Sequence, residues 1–340
     1  YKKGFFVLRE EYGCNGAIIS DWGAVYDRTK AAKAGLDLEM PFLQSNYEKL
    51  LEDYKAGKIT EEEITVCAAR VLDMVVRCKQ LQEGKKRKYT QQERVEIAQK
   101  AAEEGIVLLK NEGALPLKKG QTISACGIYG APYSAGRDLA HVLAGGGSGK
   151  VIRLTKEFDI PEALRKQGFA VDYEVAFSDY GVENAFMNPR TAIENAALSD
   201  VNIVFAGTGS TIEMEGKDRE YMKLPDVQER AILDTAAVNP NTMVVLFAGA
   251  PIDMSAWIDE VAAVVWAGFP GERGDEAVAN VLTGKVNPSG KLTETFPLCY
   301  EDSPASRGYL DGTVTRYEEG LDVGYRYYDT YGVDVLFPFG

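Results

Sequence analysis

Four short apolar runs, residues 123–128, 201–206, 243–247 and 261–266, recur along the second half of this chain with helical patterns between them. None alternates with polar residues, so each reads as a strand buried on both faces. The stretches 160–167, 191–198 and 225–238 carry apolar residues at helical spacing. Strands and helices that alternate in this way build an α/β fold, a mostly parallel sheet with helices on both faces.

The first eighty residues follow a different plan. Gly16-Ala17-Ile18-Ile19-Ser20 is a short apolar run that ends at Asp21-Trp22-Gly23. Residues 29–34 are helical in pattern, and residues 35–41 form a second short strand stopped by Pro41. A long helix starts at Thr60, where Thr60 and Glu63 make a capping box. Its expected buried face is Ile64, Ala68, Val71, Leu72 and Val75. Residues 82–90 are polar, basic and aperiodic, the mark of a connecting segment. A second capping box, Thr90 with Glu93, opens a helix expected to reach about Leu109.

At 340 residues, two domains are the default. A net charge of −13 excludes a phosphate-backbone binder, because nucleic acid is held by clustered cations, and disfavours anionic membrane surfaces. A neutral sugar remains compatible. The five cysteines are scattered and odd in number. Cys67 and Cys78 would stand roughly 16 Å apart on one helix, too far for a disulfide. A reducing, cytoplasmic setting is the expectation, with no metal and no cofactor.

Some motifs fail. Residues 144–150 imitate a phosphate loop, but Ala144 and Val151 stand where glycine and Ser or Thr are needed. Gly207-Thr208-Gly209 lacks the third glycine of a dinucleotide loop. His141 is the only histidine, so no histidine-based catalytic triad can be assembled. Any hydrolysis must therefore be run by carboxylates.

Two acidic segments stand out. Asp21 follows a buried strand, where barrel active sites are built, and Trp22 beside it offers a flat face for a sugar ring. Glu215 lies in Glu213-Met214-Glu215-Gly216-Lys217-Asp218-Arg219, and Gly216 lets the backbone bend. Taken singly, the first is most simply a loop residue and the second a solvated charged loop.

In order and with their surroundings, these segments resemble glycoside hydrolase family 3. The resemblance runs through Ser20-Asp21-Trp22, Gly35-Leu36-Asp37-Leu38-Glu39-Met40-Pro41, Glu215-Gly216-Lys217-Asp218-Arg219 with Leu224, Pro225 and Gln228, and Asn287-Pro288-Ser289-Gly290-Lys291-Leu292. It implies the C-terminal part of a (β/α)8 barrel over residues 1–81, a linker over 82–96, an αβα sandwich over 97–300, and a tail over 301–340 leading towards a fibronectin-like domain. Asp21 would be the nucleophile and Glu215 the acid/base, with Asp218 and Arg219 a local ion pair and Glu213 the rival acid. Trp22 and Ser148 are the candidate substrate-binding residues.

The implied activity is that of a retaining β-glucosidase acting on a β-glucoside or small oligosaccharide. A β-xylosidase is the alternative within the mechanism, and a non-catalytic carbohydrate-binding fragment the alternative outside it. The family's barrel has more strands than residues 1–81 supply, so the remainder is expected from a further segment or a companion chain. A homo-oligomer is compatible with all of this.

Overall fold

The computed structural model describes residues 2–83, 89–131, 147–149, 158–177, 188–306, 314 and 316–340. His141 and most of the phosphate-loop lookalike lie outside them. The chain divides at Lys88/Tyr89 into two compact units.

The first unit holds helix α1 (Lys2–Phe6), a π-helical turn (Val7–Glu11), α2 (Arg28–Ala34), α3 (Gln44–Lys55) and α4 (Glu61–Glu83). Its two expected strands reduce to a single parallel bridge, Ile19 with Leu38. Buried Asp37 joins them at depth, accepting from the Ile18 N–H at 2.7 Å and pairing with Arg9 at 2.5 Å and Arg70 at 3.2 Å. Helix α4 begins with the capping box read from the sequence, since the Glu63 N–H donates to Thr60 Oγ1 and the Thr60 N–H to the Glu63 carboxylate. Its buried stripe is rotated from the expected one. Cys67 is the buried residue, packed on Ala32 and Ile59, whereas Leu72 and Val75 are exposed. The Arg70–Asp37 pair fixes that rotation, because it turns the 67/70 edge inward.

The second unit is the sandwich. Helix α5 (Gln91–Gly105) carries the Thr90–Glu93 capping box. The connecting stretch is therefore shorter than 82–96, since α4 reaches Glu83 and α5 begins at Gln91. Helix α5 stops at Gly105, and Val107–Asn111 forms strand β1 where the sequence pattern suggested more helix. The reason is tertiary. Val-Leu-Leu is a good strand sequence, and it pairs antiparallel with residues 263–266.

The remaining elements are β2 (Thr122–Cys126), α6 (Ile160–Lys166), β3 (Ala170–Glu174), α7 (Pro189–Leu198), β4 (Val201–Gly207), a short α8 (Gly209–Ile212), α9 (Asp226–Ala236), β5 (Thr242–Phe247), β6 (Ala263–Trp266) and α10 (Gly274–Leu282). The sheet order is β1-β6-β5-β4-β2-β3, parallel except for β1. Along β5, Met243, Val245 and Phe247 join one core with α6 and α10, while Val244 and Leu246 join the other with Ile232 of α9. Period-two alternation between two dry faces is what makes the strands read as continuous apolar runs. The tail does not trail away. After α11 (Tyr325–Tyr331), β8 (Val335–Phe337) pairs with β7 (Phe296–Pro297), and Phe337 packs edge-on to Phe296.

Candidate functional site

Asp21 stands one residue past Ser20, at the carboxyl end of the Ile19–Leu38 bridge. Ser20 locks this end, its N–H donating to Leu38 O at 2.9 Å and its hydroxyl accepting from the Met40 N–H at 2.8 Å. The Gly23 N–H returns to Met40 O. Asp21 is exposed and accepts from the Trp22 N–H at 2.7 Å, and the Trp22 ring is also exposed. The parallel pairing therefore delivers both the acid and the flat ring to one loop.

The second acid follows from topology. Strands β3 and β4 lie on opposite sides of β2, so the sheet has its switch point between β2 and β4. In doubly wound sheets, ligands bind outside the carboxyl ends of the two strands that flank that point. Ser148 lies in the chain after β2 and Glu215 in the loop after β4, and the two meet. Ser148 donates from both its N–H and its hydroxyl to one Glu215 oxygen, each at 2.5 Å. These bonds, the hydroxyl first and the amide second, hold the Glu215 carboxyl below its ordinary pKa. Gly147 makes room for the contact. It sits at φ +72°, and a Cβ there would fall 2.4 Å from Glu215 Cβ. The expected sugar-contacting role of Ser148 thus has a protein partner already in place.

Glu215 occupies the tip of a tight turn. Met214 and Lys217 form an antiparallel bridge, and Gly216, at φ +76°, takes the left-handed third position that favours glycine. Below the turn, Thr208 donates to Glu213 at 2.7 Å, and Arg219 lies 4.0 Å from the same Glu213 oxygen. Arg219 therefore has Glu213 as an ion partner, a pairing the sequence reading did not name. Turned inward, Glu213 is half-buried, while Glu215 is exposed. Burial pushes the nearby Glu294 carboxyl up and Glu213 adds to this, with Arg219 opposing. Gln228 closes the end of β4, its side-chain amide both donating to and accepting from Gly207. Sequence reasoning missed Thr208, Gly147 and Glu294. Gly147 and Thr208 lie in the glycine-rich stretches 144–150 and 207–209 set apart above as failed nucleotide loops, and no local signal marks Glu294.

Fold and carboxylate placement define a doubly wound α/β domain with a carboxylate at its switch point, preceded in the chain by a helical unit that carries a carboxylate beside a parallel bridge. Residues 106–325 match the Glycosyl hydrolase family 3 C-terminal domain, and the chain belongs to that family. It is 39% identical to thermostable beta-glucosidase B of Acetivibrio thermocellus over 98% of this chain and 44% of that protein. An exo-alpha-(1->6)-L-arabinopyranosidase of Bifidobacterium longum is 32% identical, with 98% and 44% covered. Among solved structures, the Bifidobacterium adolescentis GH3 beta-glucosidase superposes with a TM-score of 0.84 at 31% identity, covering 98% of this chain and 48% of that one. The chain thus spans about half the length of the relatives it matches.

Proposed function

We propose that this chain carries both catalytic carboxyl groups of a retaining β-glycosidase, with terminal β-linked glucose as the sugar released. Asp21 attacks the anomeric carbon while Glu215 protonates the departing glycosidic oxygen, leaving a glycosyl ester on Asp21. Glu215, now ionised, takes a proton from water, and that water releases the sugar with its configuration retained. Retaining glycosidases work with two carboxyl groups about 5–5.5 Å apart. The observation that carries it is Glu215 on a glycine-bent turn at the switch point of a family 3 sandwich. The clasp by Ser148 favours the ionised form, which suits the second step. For the first step, substrate must take over from Ser148 so that Glu215 can hold a proton.

Trapping with 2-deoxy-2-fluoro-β-glucosyl fluoride on the complete native protein, followed by peptide mass analysis, is expected to place the label on Asp21. Label on another residue, or no label with no turnover of aryl β-glucosides, overturns the reading and favours a non-catalytic binder. One observation supports a second substrate reading. A relative at 32% identity is named for a pentopyranoside, so aryl β-xylosides and α-L-arabinopyranosides belong in the same assay, and faster turnover of either would replace glucose.

A further inference from the structure

Ser148 holds the Glu215 carboxyl from outside the turn, and the course of the loop beneath the turn sets where that side chain starts. The two feet of the turn are Glu213 and Arg219, and both are tied into the sandwich. Thr208, fully buried at the end of β4, donates to Glu213. The other Glu213 oxygen lies over Gly249, just past β5, where a Cβ would stand only 2.6 Å away. Arg219 donates to Pro251 O at 3.0 Å and to Met222 O at 3.2 Å while it faces Glu213. Four contacts, Thr208 and Met222 from the loop after β4 and Gly249 and Pro251 from the loop after β5, therefore converge on two side chains, six residues apart, that bracket the Met214–Lys217 bridge.

We propose that Glu213 and Arg219 form a positioning clasp that closes the base of the turn and sets where the Glu215 carboxyl projects. This inference rests on Glu215 being the acid/base. Each partner has a geometric reason to be what it is. A planar guanidinium can serve two carbonyls and a carboxylate at once, which an ammonium cannot do with fixed angles. Glutamate at 213 reaches Thr208 and Arg219 with one oxygen and fits against the bare Gly249 backbone with the other. Neither side chain needs to touch substrate. Misplacement of a reacting group by about 1 Å can cost on the order of a hundredfold in rate.

The test compares two β-glucosides on the complete native protein, one with a good leaving group (2,4-dinitrophenyl) and one with a poor one (a simple alkyl alcohol). Only the poor leaving group needs a well-placed proton donor, and kcat/KM reports that bond-breaking step. Glu215→Gln should lower kcat/KM for the alkyl glucoside by roughly 10²–10⁴-fold and leave the dinitrophenyl value within a few-fold. Glu213→Gln and Arg219→Lys should change the ratio of the two substrates in the same direction, by about tenfold to a hundredfold. Because the readout is a ratio on one protein sample, a partly misfolded variant does not blur it. If both substrates fall by the same factor in Glu213→Gln and Arg219→Lys, or if neither changes, the clasp has only a structural role or none. If Glu215→Gln itself shows no dependence on leaving group, the acid/base assignment fails first, and the two failures are distinct.

Discussion

A single oxygen of Glu215 receives both donors of Ser148, and this contact favours the charged form of the residue. Donors aimed at a carboxylate favour the charged form, so the Glu215 carboxyl is held low. Removing a donor must raise it. Ser148→Ala leaves only the backbone N–H, and the Glu215 pKa is expected to move up towards the ordinary glutamate range. Gly147→Ala should act in the same direction, because its methyl group would occupy space held by Glu215 and because φ of +72° strains any side chain. Carboxyl-carbon NMR titration of glutamate-labelled protein reads both variants, and an unchanged or lowered value would contradict the contact. Here the sequence was only half legible. The glycine-rich stretch around Ser148 is visible as a failed phosphate loop, but the partner of Ser148 is 67 residues away and no local pattern names it. Between Glu213 and Glu215 the sequence offers only the resemblance of Glu215-Gly216-Lys217-Asp218-Arg219 to the family's acid/base loop, which favours Glu215. What no local pattern shows is that Glu213 is tied to Thr208 while Glu215 is exposed at the tip.

Capping and ion pairing carry testable consequences for individual helices. Thr90 and Glu93 satisfy each other's backbone N–H groups at the start of α5. Thr90→Ala should cost about 1 kcal/mol in urea unfolding of the sandwich, the usual loss for a capping hydroxyl. On α3, Asp53 is tied first to Lys49, then to Lys58 and Thr29, and these bonds hold its carboxyl far below the usual carboxylate range. The folded pKa lies below the unfolded one, so the stabilisation is complete above about pH 4 and is lost as pH falls through the folded value. Asp53→Asn should therefore destabilise the first unit at neutral pH, with the gap from the unaltered protein narrowing in acid. Thermal unfolding followed from pH 7 down to pH 2 measures it, and a gap that widened in acid would refute the pairing. The elements legible from sequence were those whose pattern is local: the capping boxes and the apolar runs of β2, β4, β5 and β6. Strand β1 was not legible, since Val107, Leu108 and Leu109 continue the apolar content of α5. Only the pairing with residues 263–266 of β6 decides in favour of a strand. For α4, pattern gave the helix but not its rotation, which depends on a buried Asp37 that no helical wheel contains.

At the scale of the molecule, the two units differ in how much dry interior each can claim. Residues 89–340 bury a six-stranded sheet between two continuous cores, with Phe205, Phe247, Trp257 and Phe296 all fully enclosed. The unit before Lys88 has two small clusters, built around Val25, Ala31 and Leu36 and around Ala32, Ile59 and Cys67. Among its described residues the only strand pairing is one bridge, and Leu72, Val75 and Leu81 of α4 are exposed. A folded state survives only when buried apolar surface outweighs lost conformational entropy, and small clusters rarely suffice. Residues 89–340 expressed alone are therefore expected to unfold cooperatively on heating, with a sharp transition in circular dichroism. Residues 1–88 alone should show no such transition. Within the sandwich, Phe205→Ala removes a fully buried ring from β4 and should cost roughly 3–5 kcal/mol. That loss should appear in the isolated sandwich and in the whole chain by similar amounts, since the ring lies inside one unit. A much smaller loss in the isolated sandwich would mean that its core is not independently formed, and a cooperative transition in residues 1–88 would mean that the bridge and its ion pairs hold the first unit on their own.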